Sequence, residues 1–508
     1  MNASLALAHD GLSETHPDRA AFMPPVRLPL ADAPPASPRA RSLEELEQAV
    51  ARELSLGAFP AKSWVLPKTA PDGSSALDVL IVGGGQSGLG LAFALAQQRV
   101  TNVLVIDENP HGLEGPWGSY ARMRTLRTKK DVGGIEFGIP SLSVQAWVEA
   151  QDGPAAWAGM NKLPTLLWHR YLQWYRKVLD LPVRNACRMT GFHYDTASGL
   201  MAVTVEEAGQ MRTLWCRKLV LASGIEGNGV RNVPALVVDK LPKTHWAHSQ
   251  ELIDFQALRG KRVAILGGGA SAFDNAATAA EAGAHVELYH RSAVALRHEN
   301  PITWAEFTGY LAHFCDLDPA TRWKFIGQLR KVSVGVPVDT YRRVKALPAV
   351  TVHPLCGWEQ VELAGDAVRI HASDGSVAEV DYIICATGYL QDLAIRPEFA
   401  PHLPHIALWR DCYTPEPGDD MPNFSRAPFL GPHFELQEKT AGSAPWLRNV
   451  FNFSRAAQPS MGPMAIGLSG IKFGIPRVVQ GVTRQLFADD SALYLEGLQR
   501  WQRETFAD

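Results

Sequence analysis

The sequence predicts an α/β fold with two parallel sheets, in which the second sheet is inserted between two pieces of the first. Residues 78–98 ("DVLIVGGGQSGLGLAFALAQQ") and residues 263–292 ("VAILGGGASAFDNAATAAEAGAHVELYHRS") each contain an apolar strand, a glycine turn and an alanine-rich helix. Two more apolar strands, in "RKLVLASG" and "VDYIICATGYL", follow the first and the second of these stretches. Strands that alternate with helices are typical of parallel sheets with Rossmann-like topology.

The composition is that of a globular enzyme with two or three domains, since the 508 residues are 46% hydrophobic and 20% charged. The net charge of −3 and the lack of a dense Lys/Arg run argue against nucleic acid or a membrane surface as a partner. The six cysteines form no CxxC pair, and no metal-ligand spacing is found. Without an export signal or a long apolar run, we expect a cytoplasmic protein that acts on a small molecule, with a homodimer as one possible assembly.

We predict four segments along the chain. Residues 1–75 form a Pro/Ala-rich arm and a helix, in which Ser42 and Glu45 make a capping box and Gly57 is the stop signal. Residues 76–240 form the first part of one dinucleotide-binding domain, and residues 241–380 form the inserted second domain. Residues 381–508 complete the first domain and include a glycine-opened helix in "GLSGIKFGIPRVVQGVTRQLF".

The first glycine turn has the GxGxxG spacing. Its glycines are Gly83, Gly85 and Gly88. They allow a tight bend, let the backbone approach a diphosphate and let the helix pack closely on the strand. Ser87 lies at the start of that helix, whose N-terminus favours phosphate. Asp107 and Glu108 end the next strand, where a carboxylate can accept hydrogen bonds from an unmodified ribose. The turn therefore predicts FAD or NAD.

The second glycine turn keeps Gly267 and Gly269 but has Ala272 in place of the third glycine, with Ser271 beside it. The following strand ends in Arg291, 24 residues after the first glycine, which is the offset at which the first turn has its aspartate. A cation at that position suits a ribose with a 2′-phosphate and predicts NADPH. A solvated surface arginine is the alternative.

On these motifs the chain resembles the class B flavoprotein monooxygenases, from about residue 77 to residue 489. "VGGGQSGLG" is similar to the FAD turn of that family, and "EGPW", which ends at Trp117, is similar to its glycine-tryptophan segment near the flavin. "GGGASAFD" is similar to the NADPH turn. The most specific match is "DYIICATGY", which contains Thr387, Gly388 and Tyr389. Without the resemblance, that segment could equally be a tight crossing between domains.

The chain also departs from the family in two places. The FxGxxxH signature falls near "LPKTHWAHSQELIDF", where His248 and Ser249 match but Pro242 and Thr244 replace Phe and Gly. The tyrosine-proline-glycine stretch that is common in Baeyer-Villiger enzymes is missing after Trp117. These departures favour oxygenation of a nitrogen or sulfur atom, or a divergent branch of the family.

The resemblance implies FAD and NADPH as cofactors and O2 as co-substrate. NADPH would reduce the flavin, and a C4a-(hydro)peroxyflavin would transfer one oxygen atom to a small organic substrate. The alternatives are a flavoprotein reductase or oxidase, a Baeyer-Villiger enzyme, and a flavin-binding sensor without turnover. The sequence assigns no catalytic residue and no metal.

Five further side chains each have two interpretations. His248 either takes part in the flavin site or is a structural histidine that is hydrogen-bonded at a domain boundary. Arg124 and Arg127 face the flavin or an acidic substrate, or lie in a solvated basic segment. Trp304 and Tyr310 line a pocket or belong to the core.

Overall fold

The computed structural model describes residues 42–227, 229–292, 296–297, 304–331, 335–463 and 465–501. Its strands are β1 (Lys68–Thr69), β2 (Ser75–Val82), β3 (Val103–Ile106), β4 (Thr125–Lys129), β5 (Lys162–Pro164), β6 (Val183–Arg184), β7 (Cys187–Asp195), β8 (Leu200–Glu207), β9 (Gln210–Gly224), β10 (Gly229–Arg231), β11 (Trp246–His248), β12 (Arg262–Leu266), β13 (His285–His290), β14 (Leu296–Arg297), β15 (Val336–Pro337), β16 (Val350–Pro354), β17 (Trp358–Ala364), β18 (Ala367–Ala372), β19 (Val377–Val380), β20 (Tyr382–Cys385), β21 (Tyr389–Gln391) and β22 (Val450–Ser454).

Its α-helices are α1 (Leu43–Leu56), α2 (Gln86–Gln97), α3 (Val144–Asp152), α4 (Pro154–Gly159), α5 (Thr165–Val178), α6 (Ala235–Val238), α7 (Ala270–Glu281), α8 (Thr308–His313), α9 (Pro319–Lys331), α10 (Val338–Lys345), α11 (Trp409–Cys412), α12 (Pro422–Ser425), α13 (Gln458–Met461), α14 (Ile471–Asp489) and α15 (Ser491–Trp501). No helix in the described ranges is long and apolar enough to cross a membrane.

The first sheet is assembled from two distant parts of the chain. Strands β6, β3, β2 and β9 are parallel neighbours in that order, and β22 pairs parallel with the other side of β9. The antiparallel strands β7 and β8 extend the sheet from the first half of β9. Because β22 returns to this sheet after the second glycine turn, the first domain is discontinuous and the predicted fold class is confirmed.

The second sheet has the parallel order β11, β20, β12, β13, β16, and an antiparallel sheet of β17, β18 and β19 precedes β20 in the chain. The predicted boundary at residue 381 is wrong, because β20 pairs with β12 and places Ile383 opposite Ala264. An apolar strand is compatible with either sheet, and only the inter-strand hydrogen bonds decide between them. The second domain therefore includes β20.

The elements outside the sheets mostly match their sequence signals. Helix α1 begins after Ser42, whose hydroxyl accepts a hydrogen bond of 3.2 Å from the backbone N–H of Glu45, and Gly57 follows its end. Helix α14 begins after Gly470, as predicted, and packs against α2. The predicted arm at residues 1–41 lies outside the described residues.

Another apolar cluster combines parts of both domains: α8 and α9, which lie between β13 and β16 in the chain, and the segment from α11 to α13, which contains β22. It buries Tyr310, Trp323 and Trp409. Tyr310 is 6% exposed and therefore belongs to the core, whereas Trp304 is 56% exposed and stacks on Phe325.

Candidate cofactor site

A cavity of about 750 Å³ opens at the carboxyl ends of the first sheet. Its walls come from the first glycine turn, the ends of β3 and β9, residues 113–128, and the segments on either side of α13. Six predicted cofactor-binding residues line it, namely Gly83, Gly85, Ser87, Asp107, Glu108 and Trp117. Ligands of open parallel sheets bind at this edge, so the cavity is the candidate cofactor site.

The first glycine turn is shaped by close backbone contacts. Gly83 has a φ of +110°, and a Cβ there would lie 2.5 Å from the carbonyl oxygen of Ala222 on β9. A Cβ on Gly88 would overlap the carbonyl oxygen of Gly83, so α2 packs directly on the turn. Gly85 is the N-cap of α2 and offers no side-chain cap. The N–H groups at the start of α2 are therefore available to a diphosphate.

Asp107 holds the turn in place. Its Oδ2 atom accepts a hydrogen bond of 2.7 Å from the backbone N–H of Gly84, and its Oδ1 atom accepts one of 2.8 Å from that of Asn109. The adjacent Glu108 is exposed to the cavity, and burial together with the charges of Asp107 and Glu226 raises its pKa. Of the two predicted ribose-binding acids, Glu108 has the more accessible carboxylate.

Trp117 has an indole N–H that is buried and lacks a hydrogen-bond partner among the described residues. Its segment is braced by Glu114, which accepts a hydrogen bond of 2.6 Å from Arg176. An orphaned donor and uncapped helix N–H groups in one cavity fit an acceptor-rich ligand such as FAD.

The second glycine turn repeats this construction. Gly267 has a φ of +147°, and a Cβ there would overlap the carbonyl oxygen of Ala386, which directly follows β20. This contact corresponds to that of Gly83 with Ala222 in the first turn. A Cβ on Gly269 would meet no atom of the described residues within 4 Å, and Ala272 is fully buried. The hydroxyl of Ser271, nearby on α7, donates a hydrogen bond of 3.3 Å to that of Ser249.

The register of the second sheet corrects the prediction that Arg291 occupies the position equivalent to Asp107. Val79 pairs with Val103, an offset of 24 residues, but Val263 pairs with Val286, an offset of 23, because the second helix-to-strand connection is shorter. His290, rather than Arg291, is therefore the structural counterpart of Asp107. Arg291 is one residue further along, is exposed and corresponds to Glu108.

The ATGY segment joins the two domains and does not line the cavity. The hydroxyl of Thr387 donates to the carbonyl oxygen of Asn232, and the carbonyl oxygen of Gly388 accepts a hydrogen bond of 2.8 Å from the N–H of Asn232. Tyr389 donates a hydrogen bond of 3.1 Å to Glu226, which does line the cavity. The segment therefore has a structural role as a crossing, and its cofactor binding stays a prediction.

His248 and the two arginines differ in their positions. His248 is fully buried and its Nε2 atom lies 3.0 Å from the carbonyl oxygen of Gly388, while burial lowers its pKa to about 4. It is thus a neutral histidine at the domain boundary. Arg124 is an exposed partner of Glu281, whereas Arg127 lines the cavity.

Several cavity residues were not predicted to bind a cofactor. Gln86 belongs to the first glycine motif but was not among the predicted residues. The others come from loops or from the ends of strands and helices that carry no motif, namely Tyr120, Arg188, Glu226, Arg231, Gln250, Arg396, Arg455 and Gln458. Arginine or glutamine in such loops is usual for solvated surface, and only the folded chain shows that they converge. No group of three or more His, Cys, Asp or Glu side chains in the described part of the chain could hold a metal ion.

Known proteins are similar to this chain at three levels. The family profile described as "Pyridine nucleotide-disulphide oxidoreductase" matches residues 77–311. The FAD-dependent urate hydroxylase of Xanthomonas campestris pv. campestris is 41% identical over 466 residues, which cover 92% of this chain and 97% of that protein. In fold, the chain is similar to the ornithine hydroxylase PvdA of Pseudomonas aeruginosa, with a TM-score of 0.65 and 17% identity over 81% of this chain and 100% of that one.

A second solved structure, the ornithine N-hydroxylase KtzI of Kutzneria sp. 744 with reduced FAD, NADP+ and L-ornithine, has a TM-score of 0.62 and 17% identity over 81% of this chain and 99% of that one. At such identities the two structures support the fold alone. The full-length similarity to the urate hydroxylase goes further, and with the motifs and the cavity it supports the family predicted from the sequence. The chain therefore belongs to the class B flavoprotein monooxygenases, a family of FAD-dependent oxidoreductases.

Proposed function

We propose that this protein is an FAD- and NADPH-dependent monooxygenase that hydroxylates urate or a closely related oxidised purine. The observation that carries the proposal is the 41% identity to the urate hydroxylase across 97% of that protein's length. A match of that extent spans both domains rather than one nucleotide-binding unit. The sequence favoured a nitrogen or sulfur atom as the acceptor, and the purine proposal replaces that preference.

In this proposal FAD occupies the cavity, with its diphosphate on the first turn. The start of α2 presents the N–H groups of Gln86 and Ser87 to the phosphates, and Gly83 and Gly88 keep the helix close to the sheet. Asp107 braces the turn through Gly84, so the bend keeps its shape with or without ligand.

The ribose and the ring system of FAD would meet different walls of the cavity. Glu108 offers carboxylate oxygens to the ribose hydroxyls, and Trp117 offers an indole N–H that has no hydrogen-bond partner in the described part of the chain. Both groups lie on the chain that leaves β3, so one segment contacts two parts of the cofactor.

NADPH would bind at the second turn. Gly269 leaves open space where a diphosphate could approach the backbone, and Ser271 lies in the first turn of α7. Arg291 is exposed beyond the end of β13, where a guanidinium can bind the 2′-phosphate. Ala272 fills the position at which the first turn requires glycine.

The bound flavin supplies the redox chemistry, and oxygen transfer from a C4a-(hydro)peroxyflavin remains part of the proposal. The protein orients the two nucleotides and encloses the reacting atoms. A disulfide reductase is not favoured, because all six cysteines are free and Cys187 is the single cysteine that lines the cavity among the described residues. A cytoplasmic location and a homodimer stay predictions.

The test is NADPH oxidation by the FAD-loaded protein, with oxygen uptake, in the presence of urate, L-ornithine, a thioether or no substrate. We expect urate to raise the rate well above the background and to consume one O2 per NADPH without release of hydrogen peroxide. With ¹⁸O2, one labelled atom should enter the purine product. Peroxide release equal to NADPH consumption with every substrate would instead identify an oxidase, and stimulation by ornithine or the thioether alone would support oxygenation at nitrogen or sulfur.

A further inference from the structure

Five arginines line the cavity, and they differ in whether the protein supplies a counter-charge. The five are Arg127, Arg188, Arg231, Arg396 and Arg455. The first four pair with carboxylates, which belong to Asp274 at 3.1 Å, Glu206 at 2.5 Å, Glu226 at 3.3 Å and Glu398 at 2.5 Å. Arg455 makes no ion pair and no side-chain hydrogen bond with any described residue. It is therefore the cavity-lining cation whose charge the described protein leaves uncompensated.

Arg455 is held in this position by the first sheet. It directly follows β22, where Ser454 lies opposite Gly224 of β9. The side chain is exposed to the cavity, and the protein packed around the cavity lowers the pKa of its guanidinium by partial desolvation. The nearby Tyr389 supplies no negative charge, because its hydroxyl donates a hydrogen bond to Glu226 and burial raises its pKa.

Arg455 is exposed to a cavity of ligand size, and no described carboxylate neutralises its charge. Arginine stays charged at any physiological pH, and its planar guanidinium is well suited to bind a phosphate or a carboxylate. An anion carried by a ligand in this cavity would supply the counter-charge that the described protein does not. We propose that Arg455 binds an anionic group of a ligand that occupies this cavity.

Two ligands of the proposed function carry such a group. FAD has a diphosphate, which would lie on the first turn, and β9 is the strand that separates this turn from β22. Strands on either side of a shared neighbour are about 10 Å apart, a distance that an arginine side chain and a phosphate together can span. Urate is a monoanion at neutral pH, and this second source rests on the proposed function.

The experiment uses R455Q, which removes the charge, and R455K, which keeps it. Apoprotein is titrated with FAD and with riboflavin, which lacks the diphosphate, while quenching of flavin fluorescence is followed. KM and kcat for urate are then measured with saturating FAD. R410Q is the matched control, because Arg410 is an exposed arginine outside the cavity. Circular dichroism checks that each variant is folded.

If Arg455 binds the diphosphate, R455Q should weaken FAD binding on the order of tenfold and leave riboflavin binding unchanged. If it binds the substrate anion, FAD binding should be unchanged while KM for urate rises by a similar factor and kcat changes little. R455K should recover part of either loss. The proposal is overturned if FAD affinity and KM for urate both stay within about twofold of the wild type.

If the proposed function is wrong, the measurements will differ from those expected if only the role of Arg455 is wrong. In that case the wild-type protein would not turn over urate, but the comparison of FAD with riboflavin would still measure the role of Arg455. Should R455Q prove unfolded, R455K provides the same comparison, because a lysine retains the charge but lacks the planar guanidinium. If R455K folds and changes neither the FAD affinity nor KM for urate, the result would count against a specific contact of the guanidinium group.

Discussion

The carboxylate of Asp274 accepts a hydrogen bond of 3.1 Å from Arg127, and this ion pair joins helix α7 of the second domain to the cavity of the first. The side chain of Asp274 is 3% exposed and has a second cation, Arg343, at 3.7 Å. A nearby pair from the same segments, Arg124 with Glu281, is exposed to solvent. The two pairs allow a direct comparison of a buried and an exposed contact between the domains.

Removing the carboxylate in D274N should lower the free energy of unfolding by about 2–3 kcal/mol, because two guanidinium groups lose their buried partner. It should also slow the reduction of FAD by NADPH, since the pair positions α7 relative to the cavity. The measurements are urea denaturation and anaerobic stopped-flow reduction. R124Q is the control and should change stability by less than about 1 kcal/mol. Equal effects of the two variants would argue against a special role for the buried pair.

A substitution at Gly269 can test cofactor binding without a change in the stability of the fold. Within the residues that the structure describes, a Cβ at this position meets no atom within 4 Å, so G269A should fold with unchanged stability. If a diphosphate approaches the backbone there, the methyl group should raise KM for NADPH on the order of tenfold while FAD binding stays unchanged. G191A on β7, where a Cβ also meets open space, is the control and should affect neither cofactor. A wild-type KM in G269A would leave the second turn without its proposed ligand.

Arg291 should determine the choice between NADPH and NADH. Replacing it with alanine removes the proposed 2′-phosphate contact, so KM for NADPH should rise tenfold or more while KM for NADH hardly changes. Stability should be unaffected, because the side chain is exposed. Steady-state kinetics with both cofactors provide the test. K261A is the control, because Lys261 is exposed and directly precedes β12, at the opposite edge of the second sheet from Arg291. Similar changes with both cofactors would contradict the assignment.

His248 should make the protein less stable in mild acid. Burial lowers its pKa from 6.5 to about 4, so the folded protein keeps the ring neutral while the unfolded chain binds a proton. Its contribution is therefore complete above pH 6.5 and is lost as the pH falls toward 4, by about 2–3 kcal/mol. Urea denaturation at pH 7.5, 5.5 and 4.5 should show a smaller loss in H248Q than in the wild type. H285Q, at an exposed histidine, should keep the wild-type pH dependence.

The sequence by itself determined the local units of this protein. Each glycine turn is built from consecutive residues, so the spacing at Gly83 and Gly267 was enough to predict a strand, a bend and a helix. The cap at Ser42 and the helix opened by Gly470 follow from the same kind of short-range signal. Six residues predicted to bind a cofactor line the cavity for this reason, because they belong to the first turn or the segment after it.

Only the tertiary structure decided how distant segments combine. It placed β20 in the second sheet, because inter-strand hydrogen bonds and not hydrophobicity select a strand's neighbours. It made His290 the counterpart of Asp107, because a connection shorter by one residue shifts the register. It also brought Arg455 into the cavity, where none of the described carboxylates forms an ion pair with it. The strand pairings that place β20 and Arg455 join residues 119 and 230 positions apart, as in Ala264 with Ile383 and Gly224 with Ser454, and no periodicity or motif encodes them.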